Sequence, residues 1–206
     1  YIADIDFEDI LETKEEIENV FYLNKYSIEN YFVEKNGLFE IIREKSPKLK
    51  DNDIAQLFDF NSKLKQCKVI LTELTCTLIV IQKYSLGKEY FGLNPARDLD
   101  LSTNPPQIKN TFLPTYIEET EVLLKSMDGR FTLKSKQQEF KKHFKSINNA
   151  LKFIPGKYLL NVIKHQLEKA RLINQISIES FSYKLSKECN LDSLTSIKTE
   201  ILDYRK

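Results

Sequence analysis

The segment that most limits the fold is residues 69–81, Val-Ile-Leu-Thr-Glu-Leu-Thr-Cys-Thr-Leu-Ile-Val-Ile. Wound into a helix, it carries apolar side chains in nearly every direction, and only a surrounded helix can bury such a set. A bilayer is not the surrounding medium. The longest unbroken apolar run, residues 78–81, is far below the roughly 18 residues needed to span one. The sequence therefore predicts a long buried helix over residues 64–84, with Gly87 just beyond its end. Composition agrees. Five glycines and six prolines in 206 residues are few for an all-β protein, where tight turns recur. The abundance of Leu, Ile, Lys and Glu favours helix.

The N-terminus reads differently. In residues 1–7, Tyr1, Ala3, Ile5 and Phe7 fall on one face of a strand and Ile2, Asp4 and Asp6 on the other. The acidic segment 8–19 suits a short helix. Residues 20–23, Val-Phe-Tyr-Leu, form a second run of strand length with Asn24 as its breaker. Two strands joined through a helical segment predict a small parallel sheet. The expected fold is thus mainly α, with a small α/β remnant over residues 1–33 and a large helical extension over 34–206.

At the end of that remnant, Ser27 suits the cap of a short helix holding Ile28, Tyr31 and Phe32; the extension follows. Leu38, Phe39, Ile41 and Ile42 form an amphipathic stretch that ends near Pro47. Residues 92–114 read as a loop-rich connector containing Pro95, Pro105, Pro106 and Pro114, with a helix after Pro114. Phe140, Phe144, Ile147 and Leu151 give one continuous helical stripe, broken at Pro155-Gly156. Further helices are expected around Leu159, Leu160, Ile163 and Leu167, around Phe181 and Leu185, and around Leu194, Ile197 and Ile201, with Asp192 as a cap.

Charge is unevenly spread although the net charge is only +1. Residues 1–40 hold eleven acids and three lysines. Residues 130–157 hold Arg130 and seven lysines against one acid, Glu139. Such asymmetry suggests an acidic site and a separate basic face, or simply two solvated helix faces. Cys67, Cys76 and Cys189 show no C-x-x-C spacing and an odd count. They support neither a disulfide framework nor a zinc site, and read as reduced thiols of a cytoplasmic protein. No signal peptide is recognisable. The chain opens on Tyr1 rather than Met, partway through a strand, so it reads as the later part of a larger α/β protein.

The sharpest chemical feature is Asp4 with Asp6. At i and i+2 on a strand, both carboxylates point the same way, and hard divalent cations take oxygen ligands of this kind. In open α/β sheets, ligands gather at the carboxyl ends of strands. The plainer alternative is two surface acids at a strand end. Glu29, in the first turn of the following helix, can complete a metal shell or orient a ligand, or only favour the positive helix terminus. Lys134, Lys136, Lys141, Lys142 and Lys145, with His143 among them, offer a face for phosphates. Other patterns carry less. Gly156-Lys157 lacks the upstream glycine and following Ser or Thr of a phosphate loop. His143 and His165 show no ligand spacing. Asp98 and Asp100 are expected to be exposed in the proline-bounded loop.

The order Ile2-Ala3-Asp4-Ile5-Asp6-Phe7, a short acidic segment, an apolar strand, then Tyr26-Ser27-Ile28-Glu29-Asn30-Tyr31 resembles a bacterial family long labelled a domain of unknown function. Its core is similar to the toprim fold of topoisomerases, primases and overcoming-lysogeny-defect nucleases, and it includes the nuclease effector of the PARIS phage-defence system. The likeness covers about the first 33 residues, with a looser echo in Phe153-Ile154-Pro155-Gly156-Lys157-Tyr158-Leu159-Leu160. It implies a nuclease assisted by Mg²⁺ or Mn²⁺, with Asp4 and Asp6 as catalytic metal ligands and Glu29 as a weaker candidate for the same role. It also implies nucleic acid as substrate, an ABC-type ATPase as partner, and room for a homodimer. The family's further glutamate, on an earlier strand, has no counterpart here, so this chain alone is expected to be inactive. The rival expectation is a non-catalytic helical module that partners an ATPase or nucleic acid.

Overall fold

A computed structural model describes residues 1–206 apart from 104, 105, 110, 205 and 206, so Pro105 lies outside the described residues. The chain is 63% helix and 4% strand. It divides into two compact units: residues 1–63 with 155–206, and residues 64–154.

The first unit opens with β1 (Ile2–Ala3), α1 (Glu8–Leu11) and β2 (Phe21–Tyr22). β1 and β2 pair in parallel, Ile2 opposite Phe21 and Ala3 opposite Tyr22. Both strands are shorter than the sequence suggests. The chain leaves β1 after Ala3 and turns at Asp6, whose φ of +47° lies in the left-handed region. α1 also stops early, at Glu12 with φ +57°. Glu12, Glu15 and Glu16 would stand three and four residues apart on one helix face, where like charges repel.

A 3₁₀ turn (Ile28–Tyr31) follows, then α2 (Lys35–Lys45), α3 (Asp51–Leu57) and the start of α4 (Phe60–Lys83). Ser27 heads the turn, as its type suggests, but Phe32 falls outside it. Gly37 lets α2 approach a later helix of this unit closely, because a Cβ there would lie 3.4 Å from Leu185. Lys184 pairs with Glu44 at the same junction, and Lys45 donates to the Arg171 carbonyl at 2.8 Å. Leu23, Tyr31 and Ile197 form a buried cluster, with Phe21, Leu194 and Ile201 packed against it.

In the second unit α4 is the centrepiece. Every residue from 74 to 81 is buried, as its all-round apolarity requires, whereas Val69 is 60% exposed. The 92–114 connector is more ordered than its composition suggests. It holds α5 (Pro95–Asp98) and an antiparallel pair, β3 (Leu99–Asp100) with β4 (Gln107–Ile108). Asp98 is fully buried rather than exposed. Its carboxylate accepts from the Arg97 guanidinium at 2.6 and 2.8 Å and from the Asn94 N–H at 2.8 Å, partners that make burial of the charge tolerable.

α6 (Phe112–Met127) begins two residues before Pro114, which sits in the first turn where no N–H is needed. The stripe over Phe140, Phe144, Ile147 and Leu151 is not one helix. It is α7 (Leu133–Lys141), a 3₁₀ turn (Lys142–Phe144) and α8 (Ile147–Phe153). Ser146 starts the last by accepting from the Asn149 N–H at 3.1 Å. α7 is fixed to α4 through Gln137, whose amide donates to Thr77 Oγ1 at 2.9 Å.

Back in the first unit, α9 (Gly156–Lys169), α10 (Ile178–Glu188) and α11 (Thr195–Tyr204) complete the chain. Asp192 is not a cap. It lies inside a 3₁₀ turn (Leu191–Leu194) that Asn190 caps, accepting from the Asp192 N–H at 2.9 Å. Among the described residues no helix is long and apolar enough to cross a membrane.

Candidate functional site

β1 delivers Asp4 immediately after its last paired residue. The alternation expected of a strand survives past the strand itself: Ile5 and Phe7 are buried, Asp4 and Asp6 exposed. Two backbone links hold this short stretch. Leu23 donates to the Ala3 carbonyl at 2.9 Å, and Asp6 donates to the Tyr26 carbonyl at 3.0 Å. The Tyr26 ring packs edge-on against Phe7, with centroids 4.8 Å apart. The two aspartates are therefore not displayed by a regular strand. Asp4 follows the strand end and Asp6 sits on a left-handed turn.

Glu29 reaches the same corner from the 3₁₀ turn. The Ile28 N–H, one of the unpaired donors at the start of that turn, donates to Asp4 Oδ1 at 3.1 Å. Asn30 closes the turn on itself, accepting at Oδ1 from the Ser27 N–H at 3.0 Å and from the Ser27 hydroxyl at 3.1 Å. α9 meets this turn head-on. A Cβ at Gly156 would lie 2.7 Å from Glu29 Cβ, 2.7 Å from Asn30 Oδ1 and 2.8 Å from the Asn30 nitrogen. Only glycine fits there. The next residue, Lys157, comes within electrostatic reach of Asp4.

The electrostatics follow from this crowding. Partial burial pushes the Asp4 carboxyl above its ordinary range. The Ile28 N–H pulls it back, Glu29 and Asp6 push it further up, and Lys157 lowers it. Burial likewise raises Asp6, offset by a hydrogen bond from the Tyr26 side chain.

These carboxylates do not by themselves fit a divalent ion. Among the described residues no three His, Cys, Asp or Glu side chains gather closely enough to hold one, and one Asp4 oxygen is already engaged by Ile28. The corner brings Asp6 and Glu29 into electrostatic reach of Asp4 without closing a shell. Sequence reasoning missed the part played by Gly156 and by the Ile28 N–H. A glycine directly after proline at a helix start, Pro155-Gly156, was the available signal.

In the second unit the five lysines separate. Lys136 is engaged: it pairs with Glu139 at 3.1 Å and lies over the Phe131 ring at 4.2 Å. Glu139 also binds Lys83 at 3.1 Å. Lys141 is half-buried, its charge felt by the buried Cys76. Lys134, Lys142 and Lys145 are exposed. Compared with known proteins, the chain matches no family model, no curated protein and no solved structure.

Proposed function

We propose that this chain is the C-terminal portion of a toprim-like, metal-dependent nuclease acting in the cytoplasm in phage defence, with an ABC-type ATPase as its partner. One observation carries the reading. The three segments that bear the family likeness, around Asp4 and Asp6, around Glu29, and at Gly156-Lys157, meet at one corner although they come from distant parts of the chain.

In this reading Asp4 and Asp6 supply negative oxygen ligands and Glu29 supports them from the turn. The Ile28 N–H fixes the Asp4 rotamer, and Lys157 offsets part of the negative charge. Asp4 and Asp6 would be the residues that hold a Mg²⁺ or Mn²⁺ ion, which would supply Lewis acidity for phosphodiester hydrolysis. The carboxylates present leave the shell open, and the resemblance gives the further ligand to a glutamate on an earlier strand. The rival, a non-catalytic helical module, is favoured by the open carboxylate set.

The test uses a form of the protein extended upstream of Tyr1, assayed on labelled RNA and DNA with Mg²⁺, Mn²⁺ or EDTA, with and without an ATPase encoded beside it. Metal-dependent cleavage is expected, and Asp4→Asn and Asp6→Asn are each expected to abolish it while leaving the fold intact. Cleavage that survives both substitutions rules out this site. No cleavage under any condition favours the helical module.

A further inference from the structure

The lysines of the second unit do not stop at the 3₁₀ turn that holds Lys142. The Lys68 ammonium, on α4, donates to the Lys145 carbonyl, so α4 around Lys68 lies beside that segment. Lys65 and Lys68 share a helix face with Val69 and Thr72, at the spacing of side chains that stand together. Lys68 thus stands beside Lys145, with Lys65 one turn back on the same face of α4 and Lys142 three residues before Lys145, so the four lysines come from two separate parts of the sequence. The nearby acid on α7, Glu139, is taken up by Lys83 and Lys136. Among the described residues Lys65, Lys68, Lys142 and Lys145 make no ion pair with an acid.

We infer that this two-element lysine patch, Lys65 and Lys68 with Lys142 and Lys145, is a binding surface for the phosphodiester backbone of a nucleic acid. Lysine ammoniums are point charges that neutralise phosphates without reading bases. Ser146, Asn148 and Asn149 are exposed in the adjoining segment and add neutral hydrogen-bonding groups of the kind that position a backbone. An acidic protein is the weaker fit. Protein interfaces have an apolar centre and are depleted in lysine, whereas the one large apolar side chain exposed on the α4 face of this patch is Val69.

The inference shares with the proposed function the premise that nucleic acid is the ligand, but it stands on the second unit alone and needs no cleavage. Short fluorescein-labelled single-stranded RNA, single-stranded DNA and duplex DNA are titrated with the 206-residue chain, and anisotropy is followed between about 50 and 200 mM salt. Binding is expected to weaken with salt. Four contacts to a duplex correspond to a loss on the order of 100-fold across that range, from a slope of about 0.9 per contact.

The triple variant Lys65→Gln, Lys142→Gln, Lys145→Gln should lower the log–log slope by about 0.7 per lost contact on single strands and about 0.9 on duplex. Lys68 is left in place because its ammonium also ties α4 to the Lys145 carbonyl. A charge-matched variant of the first unit, Lys48→Gln, Lys169→Gln, Lys198→Gln, should leave the slope unchanged. The patch is overturned by absence of binding at low salt, by equal losses in the two triple variants, or by polyglutamate competing as well as an oligonucleotide of equal charge. The same titration in EDTA separates the two readings: the lysine patch needs no metal ion, so binding should persist, whatever becomes of cleavage.

Discussion

The acidic corner of the first unit and the lysine patch of the second hold charge in opposite ways. The corner crowds carboxylates against each other and against buried neighbours, so the charged form of Asp4 and Asp6 is disfavoured. The patch displays Lys65, Lys142 and Lys145 to water on long flexible stems, and among the described residues none of its lysines pairs with an acid. A crowded site depends on backbone positions fixed to tenths of an ångström, as the Gly156 contact shows. A displayed patch depends mainly on how many charges it carries. The first kind of site is fragile and specific; the second is robust and general.

The largest effect expected to test that contrast is at Gly156. Gly156→Ala places a methyl group 2.7 Å from Glu29 Cβ and 2.8 Å from a backbone nitrogen, so α9 or the 3₁₀ turn must move. The cost should be about 1–3 kcal/mol, read from denaturant unfolding. Gly129→Ala in the second unit meets nothing within 4 Å and should be neutral or slightly stabilising. Equal costs at the two positions would break the comparison.

A smaller effect is expected at Asp4. Its folded-state carboxyl is raised, mainly by burial. Its contribution to stability is therefore full below the unfolded value of about 3.8 and is lost as pH rises through the higher folded value. Asp4→Asn should raise the melting temperature modestly at neutral pH, and the gain should fade as the solution is acidified towards pH 3.8. A gain that is the same at all pH values would mean that the charge is not what the variant relieves. The smallest effect is at the patch. Lys142→Gln with Lys145→Gln, both at exposed positions, should change stability by no more than about 0.5 kcal/mol. A larger change would make these lysines part of the fold rather than a display upon it.

The parts of the molecule legible in the sequence are those set by local composition. Residues 69–81 read as a surrounded helix; the helix forms, and it is enclosed on all sides over residues 74–81, while Val69 and Glu73 face outward. The parallel pairing of two short strands followed from an intervening helical segment. What periodicity could not reach was where elements stop. The Phe140–Leu151 stripe keeps helical spacing in the sequence across a real break, because a 3₁₀ turn and the extended backbone of Ser146, whose side chain caps α8, interrupt the helix without changing the residue spacing. Asp98 looked exposed because it lies among prolines, yet its neighbour Arg97 and the Asn94 N–H supply what a buried carboxylate needs. Composition does not reveal such a partnership.

The corner was half legible. Asp4 and Asp6 stood out by their spacing, but they are carried by a strand end and a left-handed turn rather than by a full strand. Gly156 and Ile28 act through backbone atoms at long sequence separation, which no one-dimensional pattern records.

One feature of α4 reaches beyond charge altogether. Cys67 and Cys76 are sealed within the described structure, and burial pushes the Cys76 thiol up to about 12, whereas Cys189 is only partly covered. A thiol reagent in water thus meets Cys189 directly, but reaches the other two only in the moments when α4 is open. Their labelling rate is a clock on that opening. The native sequence carries its own reporter of how often its most buried helix comes apart, with no probe to attach and no residue to change.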